Sequence, residues 1–167
     1  IKYWESKPKE YAISNIDAIN TKRAEFCPSL INNKLVYVGE KVADIVDFEK
    51  SATNNQPYLN MFVSDIKNNV VSKSKIFSKK LNTSFHDGPI TFSNDGKIAF
   101  FTRVNYIINK RNKDFVNRAK IYISNASGSS WNKATPFAYN NDEYSCAHPS
   151  ISNDGNTLYF ASDMPGG

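Results

Sequence analysis

The sequence predicts an all-β fold of the β-propeller class, in which the chain contributes about two and a half four-stranded antiparallel blades to a larger ring. The first observation behind this prediction is a segment that occurs three times, as CPSLINNKLVYVG at 27–39, GPITFSNDGKIAFFT at 88–102 and HPSISNDGNTLYFAS at 148–162. The second is a hairpin signal inside each copy, and the third is the lack of any convincing amphipathic helix. We align Leu35, Ile98 and Leu158, whose nearly constant spacing is typical of propeller blades or stacked arrays.

These repeats divide the chain into four parts. We expect residues 1–24 to form the outer or closing strand of a neighbouring blade and residues 144–167 to begin the next blade. Residues 25–84 and 85–143 are each expected to form one blade. Because closed propellers typically have four to eight blades, we expect the chain to belong to a larger protein.

Each copy reads as a strand, a tight turn and a second strand. The turns at 94–96 and 153–155 are both Asn-Asp-Gly, which predicts a primed hairpin turn because glycine adopts positive φ without steric cost. The first copy has Asn-Asn at 32–33 instead, and Asn tolerates the left-handed region. The residues to which we assign a structural turn role are Asp95, Gly96, Asp154 and Gly155.

Strand-forming residues continue beyond each hairpin. The predicted second strands are 35–38, 98–102 and 158–161, the third strands are 60–64 and 120–124, and the fourth strands are 70–78 and 131–137. Met61 and Ile121 hold the same place in successive units, as the repeat requires. Residues 40–57 and 104–117 are predicted to be long loops on one side of the ring, where loops often make partner contacts. The candidate contact residues in these loops are Phe48 and Tyr106.

The net charge of +5 calls for a test of nucleic-acid binding. The basic residues form two clusters outside the repeated segments, which are Lys73, Lys75, Lys79 and Lys80, and Lys110, Arg111, Lys113 and Arg118. We interpret them as solvated blade edges that discourage pairing between sheets, with polyanion binding as the alternative. Nucleic acid is therefore not an expected partner.

Two further features limit the possible classes of protein. Cys27 and Cys146 lie in the first and third repeats, which are not adjacent in a ring, and we expect both to be free thiols. No apolar run approaches the ~20 residues of a membrane-spanning helix, so direct membrane insertion of this segment is not expected.

Two stretches resemble a known family. Residues 85–106 (FHDGPITFSNDGKIAFFTRVNY) and 143–167 (EYSCAHPSISNDGNTLYFASDMPGG) look like the TolB-type, WD-like propeller repeats of Bacteroidetes OmpA-family envelope proteins. The resemblance implies a periplasmic location associated with the outer membrane, in some members through a lipid anchor. It also implies partners in the envelope or in the type IX secretion and gliding machinery. Peptidoglycan would be bound only through a domain that is absent from this chain.

The resemblance also implies a candidate site. In TolB-like rings the Pro-x-x-Ser-x-Asp-Gly strand is innermost, so the residues just before it would meet at one mouth of the channel. The candidates there are aromatic and titratable, which suits a concave binding surface, and they are Glu25, Phe85, His86, Asp87, Tyr144 and His148. The alternative is a structural role in which the His and Asp side chains bond to the backbone of neighbouring blades. The histidines and cysteines lack the paired spacing of a structural zinc site, so no metal and no cofactor are expected.

Catalysis has little support in the sequence. It contains no nucleophile elbow, no His-Glu-x-x-His and no phosphate-binding glycine loop, and the turn aspartates have a sufficient architectural role. We therefore expect a protein that is not an enzyme and that acts as a protein-interaction scaffold. The family resemblance implies that this scaffold links secretion or gliding machinery to the envelope. The alternatives are a propeller accessory to a TolB-like peptidase or hydrolase, and a glycan-binding propeller that uses Tyr144 and Phe85.

Overall fold

The computed structural model describes residues 13–40, 57–108 and 115–166, with the backbone alone for 105–108 and 115–116. All regular secondary structure in these residues is β-strand, and every pairing is antiparallel. The all-β prediction is therefore confirmed for the described part of the chain. No helix in it is long and apolar enough to span a membrane.

Within the described ranges, twelve strands form three consecutive sheets. The first sheet contains β1 (Glu25–Ile31), β2 (Lys34–Glu40), β3 (Leu59–Lys67), β4 (Val70–Val71) and β5 (Lys75–Ile76). The second contains β6 (Asp87–Phe92), β7 (Ile98–Ile108), β8 (Phe115–Ser127), β9 (Ser130–Trp131) and β10 (Thr135–Pro136). The third is the two-stranded sheet of β11 (Cys146–Ile151) and β12 (Leu158–Ser162). In the first two sheets the strands follow one another in chain order, as a meander.

The predicted fourth strand of each complete unit is divided into two short pieces. In the first sheet the pairing Ile66↔Val71 is followed by Val63↔Lys75, so the outer strand gains one residue relative to β3. The second sheet has the same one-residue shift between β9 and β10, both of which pair with β8. An extra residue of this kind is a β-bulge, which interrupts pairing and bends the strand.

The turns of the three repeated hairpins, β1–β2, β6–β7 and β11–β12, are of two kinds. Asn32 and Asn33 have φ of 46° and 56°, as a type I′ turn requires at both central residues. In the Asn-Asp-Gly turns only the glycines have positive φ, with 69° at Gly96 and 75° at Gly155, and the Gly96 amide donates to the Ser93 carbonyl at 2.8 Å. The primed-turn prediction is thus confirmed for the Asn-Asn turn and wrong for the two glycine turns, which contain one more residue before the left-handed position.

The repeat alignment also needs one correction. The ladders pair Leu35 with Leu30, Phe100 with Thr91 and Leu158 with Ile151, each on the second rung after the bulge of its hairpin. Ile98 lies next to the turn, where its carbonyl accepts from the Ser93 amide at 2.9 Å. The predicted equivalence of Leu35, Ile98 and Leu158 is therefore wrong, because the second hairpin has an additional pair of residues between its bulge and its turn.

The predicted loop at 104–117 is mostly strand. β7 and β8 remain paired as far as Ile108↔Phe115, which leaves only residues 109–114 between them. Valine, isoleucine, tyrosine and phenylalanine dominate the extended part, and these residues favour a pleated surface. Tyr106 lies in β7 opposite Asn117, so it is a strand residue rather than a loop residue. Phe48 and most of the other predicted loop lie outside the described residues.

The main core lies between the first two sheets. Its buried side chains come from both sheets and from the segment that joins them, and they are Val36, Met61, Val63, Leu81, Ile90, Phe92, Ala99, Phe101 and Trp131. A second cluster lies on the other face of the first sheet, where Ile16 and Ile19 pack against Leu35 and Tyr37. Residues 13–24 contain a turn and no strand, with the Ile19 amide donating to the Ile16 carbonyl at 3.0 Å. This segment therefore covers the first sheet without extending it.

Candidate functional site

The candidate site residues lie at or just before the same bulge in all three units. Cys27, Gly88 and His148 have φ of 51°, 98° and 54°, each stands directly before a proline, and the ladder register shifts at each of these positions. A non-glycine residue rarely adopts this conformation, so the strain at Cys27 and His148 marks a backbone shape that the surroundings impose. The bulges bend the starts of β1, β6 and β11. Of the six candidate residues, three lie in these strands, namely Glu25, Asp87 and His148, and three lie just before β6 or β11, namely Phe85, His86 and Tyr144.

Successive sheets meet through repeated contacts at these bulges. The Leu59 amide of β3 donates to His86 Nδ1 at 3.1 Å, and the Ala119 amide of β8 donates to Ser145 Oγ at 3.4 Å. Leu59 and Ala119 are as far apart in the sequence as Met61 and Ile121, so they occupy equivalent positions in successive units. We call each of these contacts between successive sheets a junction. The His148 amide also donates to Thr102 Oγ1 of the preceding sheet at 2.9 Å.

Asp87 is fully buried in an ion pair. Its Oδ1 lies 2.7 Å from Arg103 Nε, and its Oδ2 accepts from the Thr83 amide and hydroxyl, the latter at 2.7 Å. Arg103 also donates to the Leu81 carbonyl at 2.7 Å, and its guanidinium lies 4.7 Å from the Tyr122 ring centroid. Burial raises the pKa of the Asp87 carboxyl, while Arg103 and then Thr83 act in the opposite direction. This carboxylate fixes the segment that joins the first two sheets and is not available to a ligand.

His86 and Phe85 form an aromatic cluster with Tyr58. The Tyr58 ring meets the Phe85 and His86 rings edge-on, with centroid distances of 5.7 and 4.9 Å. Because His86 Nδ1 accepts a hydrogen bond from an amide, the imidazole is neutral in this arrangement. Burial lowers the pKa of His86, and the Asp87 carboxylate partly opposes that shift. Phe85 is 36% exposed, so it gives this junction an aromatic surface.

Glu25 is the first residue of β1 and lines a pocket that the other candidate residues do not line. It accepts from the Thr21 hydroxyl at 2.5 Å and lines a pocket of about 240 Å³ together with Arg23, Tyr37 and Glu40. Arg23 forms an ion pair with Glu40 at 3.2 Å, and none of the other five candidate residues lines this pocket. Glu25 pairs with Gly39 in the first sheet, and its described side-chain hydrogen bonds are to Thr21 in the segment before β1.

Tyr144 and His148 belong to the third unit. Tyr144 is half-buried, while the His148 side chain is exposed and its backbone carries the contact to the second sheet. The neighbouring Ser145 amide donates to Asp163 Oδ1 at 2.6 Å, which ties the start of β11 to the end of β12. The structure thus brings Phe85, His86 and Asp87 together in one junction and places Tyr144 and His148 at the next one.

The turn residues form two matching networks. In the second hairpin Asp95 accepts from the Ser93 hydroxyl at 2.7 Å and from the Lys97 amide at 3.0 Å. In the third, Asp154 accepts from the Ser152 hydroxyl at 2.5 Å and from the Asn156 amide at 3.1 Å. These hydrogen bonds, led by the one from the serine, lower the pKa of both aspartates. Their chemistry is that of a turn, with each carboxylate occupied locally.

Sequence reasoning missed a pair of asparagines that complete the sheets. Asn82 accepts from the Met61 amide at 2.8 Å and donates to the Met61 carbonyl at 3.0 Å. Asn140 makes the same two bonds to Ile121, at 2.9 and 2.7 Å. Each carboxamide stands in for a strand residue beside β3 or β8, and the same bonds confirm that Met61 and Ile121 are equivalent. The signal available in the sequence was the recurrence of an Asn shortly before the second and the third repeated segment.

Both cysteines are free, as predicted. Cys146 is buried, and burial raises the pKa of the half-buried Cys27 thiol.

Comparison of the chain with protein-family models, with curated proteins and with solved structures gives no match.

Proposed function

We propose that this chain is a noncatalytic segment of a β-propeller that presents a rigid surface to a partner protein. The observation that carries the proposal is the repeated junction, in which a third-strand amide bonds to a side chain at the start of the next unit. A contact that recurs with the repeat relates each sheet to the next in the same way, as a ring of blades requires.

The cellular setting follows from the resemblance of residues 85–106 and 143–167 to TolB-type repeats. It is a periplasmic, outer-membrane-associated protein of the OmpA family, working with the type IX secretion or gliding machinery. Within that setting the segment contributes recognition, and peptidoglycan attachment belongs to another domain.

The proposed partner surface lies at the end of the sheets where the bulges of β1, β6 and β11 occur. Phe85 and Tyr144 lie there, each at one junction between successive sheets. Both rings keep part of their surface exposed, and aromatic side chains with one exposed side are common anchors of protein interfaces. The residues that follow them, His86 and Ser145, accept hydrogen bonds from the preceding sheet. These bonds hold the segments that carry the two rings, which reduces the entropy that a partner must overcome on binding.

Affinity capture from an envelope extract tests this assignment. The 167-residue chain is immobilised with a photo-crosslinker, and recovery is compared between the wild type and the double variant Phe85→Ala, Tyr144→Ala. We expect a specific protein to be recovered by the wild type and lost by the double variant, while Tyr159→Ala, which removes an exposed ring on β12, retains it. Equal recovery by the double variant would exclude this surface.

A folding control separates contact from collapse. Gly96→Val places a β-branched residue at a φ of 69° and should lower both the circular-dichroism signal of the sheets and the capture. If the double variant shows the same loss of circular dichroism, the capture result reflects unfolding and contradicts a direct role of the two rings.

A further inference from the structure

A basic groove lies between the edge of the first sheet and the second sheet. Its volume is roughly 650 Å³, within the range of ligand sites in proteins. No acidic residue lines the groove. Its charged lining residues are the four lysines Lys34, Lys75, Lys79 and Lys80. Ser129 and Ser130 add hydroxyl groups on the opposite side. The groove therefore offers mainly hydrogen-bond donors and positive charge.

The positive charge is only partly neutralised. Asp65, outside the groove lining, forms ion pairs with Lys34 and with Lys75, the second at 3.7 Å. Across residues 13–40, 57–108 and 115–166, no ion pair involves Lys79 or Lys80, and both side chains are exposed. The ammonium groups of Lys79 and Lys80 can therefore each bind an anion without first breaking an ion pair with a carboxylate.

The floor of the groove distinguishes between classes of anion. Trp131 is only 8% exposed, and its ring already packs against Phe77 and Phe92, with centroid distances of 5.7 Å to each. A nucleic-acid base or a sugar ring needs a free aromatic face on which to stack, and the buried, packed ring of Trp131 does not offer one. Aliphatic side chains need only apolar contact, which Val63 and Ala126 at the floor and the lysine stems can provide.

We propose that this groove binds an acidic peptide segment of a partner protein, in an extended conformation with carboxylates alternating with aliphatic side chains. The carboxylates pair with the lysines, and the aliphatic side chains lie on the floor beside Phe77 and Trp131. Neither Phe85 nor Tyr144 lines the groove. This proposal is therefore tested independently of the partner surface proposed above.

Fluorescence anisotropy with a labelled peptide of alternating glutamate and leucine tests the proposal on the 167-residue chain. We expect saturable binding that weakens with salt, and no binding of the matched peptide in which glutamine replaces glutamate. The double variant Lys79→Glu, Lys80→Glu should raise the Kd by about tenfold or more, because it puts like charges opposite the peptide. The control Lys22→Glu, Lys133→Glu makes the same charge change at exposed lysines outside the groove and should stay within about twofold.

Three results would overturn the proposal: no binding of the acidic peptide, an equal loss in the control variant, or equally tight binding of oligothymidylate with the same dependence on Lys79 and Lys80. The last result would identify a general polyanion patch. If the charge reversal alters the circular-dichroism spectrum, the milder pair Lys79→Gln, Lys80→Gln decides, and wild-type affinity in that variant would also reject the groove.

Discussion

The second and third hairpins share one turn but have opposite surroundings. Gly96 and Gly155 both take the left-handed position of an Asn-Asp-Gly turn. A Cβ on Gly96 would lie 3.1 Å from the Asn32 side chain of the first hairpin, whereas a Cβ on Gly155 would meet nothing within 4 Å. The contrast shows that local sequence determines the hairpin, while its contribution to the core depends on the sheet that packs against it.

The strongest test of this contrast is a pair of aromatic truncations. Phe101 and Tyr159 each occupy the first rung after the bulge, yet Phe101 is fully buried and Tyr159 is 64% exposed. We expect Phe101→Ala to lower the free energy of unfolding by about 3–5 kcal/mol, because it leaves a cavity between the two sheets. Tyr159→Ala should change it by less than about 0.5 kcal/mol. Urea unfolding followed by circular dichroism measures both, and similar losses would mean that the third hairpin is packed as the second is.

The bulges provide the next test. Gly88 has a φ of 98°, and a Cβ there would overlap Cγ2 of Val38 in the first sheet. We expect Gly88→Ala to cost about 2–4 kcal/mol, because backbone strain and overpacking act together. His148 has the same bulge conformation with an exposed side chain, so His148→Gly should change stability by less than about 1 kcal/mol.

The measurement is again the free energy of unfolding in urea. Because the contact from His148 to Thr102 uses the backbone amide, glycine retains it. A loss in His148→Gly as large as that in Gly88→Ala would show that the side chain, and not the bulge, holds the third hairpin in place.

The repeats were readable from the sequence because hairpins depend on neighbours in the chain. Turn chemistry located the turns, and the regular spacing of the repeat identified Met61 and Ile121 correctly. The ion pair of Asp87 with Arg103 was not readable, since it depends on a cross-strand register that the bulge shifts. The division of the fourth strands could not be predicted either, because one extra residue in a strand does not change its composition detectably.

The candidate site was predicted only in part. His86 bonds to the backbone of the preceding sheet, as the structural alternative for the residues before each repeated proline predicts, whereas Asp87 forms its ion pair within its own sheet. Burial could not be predicted for Asp87, because its pairing with Arg103 on the next strand depends on the register shift at the bulge. The basic groove was equally hidden, since Lys34 joins the Lys75–Lys80 cluster only after the first sheet has formed.

The smallest expected effect concerns the two histidines of successive units and appears as a dependence on pH. Burial lowers the pKa of His86 below its ordinary value of 6.5, and protonation would turn the Nδ1 that accepts from Leu59 into a donor. The unfolded chain therefore binds more protons than the folded chain as the pH falls through 6.5, so stability decreases in that direction.

His86→Asn should flatten this pH dependence, because the side-chain oxygen can accept from the Leu59 amide without titrating. His148→Asn is the matched control, since Asn tolerates its φ of 54° and its exposed ring accepts no amide of this kind among the described contacts. Free energies of unfolding are measured in urea between about pH 5 and pH 7.5, a range centred near the ordinary pKa of histidine. Asp87 is present in every variant, so the difference from wild type isolates the imidazole. If His148→Asn flattens the profile and His86→Asn does not, the titrating contact lies at the third hairpin, and the second junction is not the one that pH weakens.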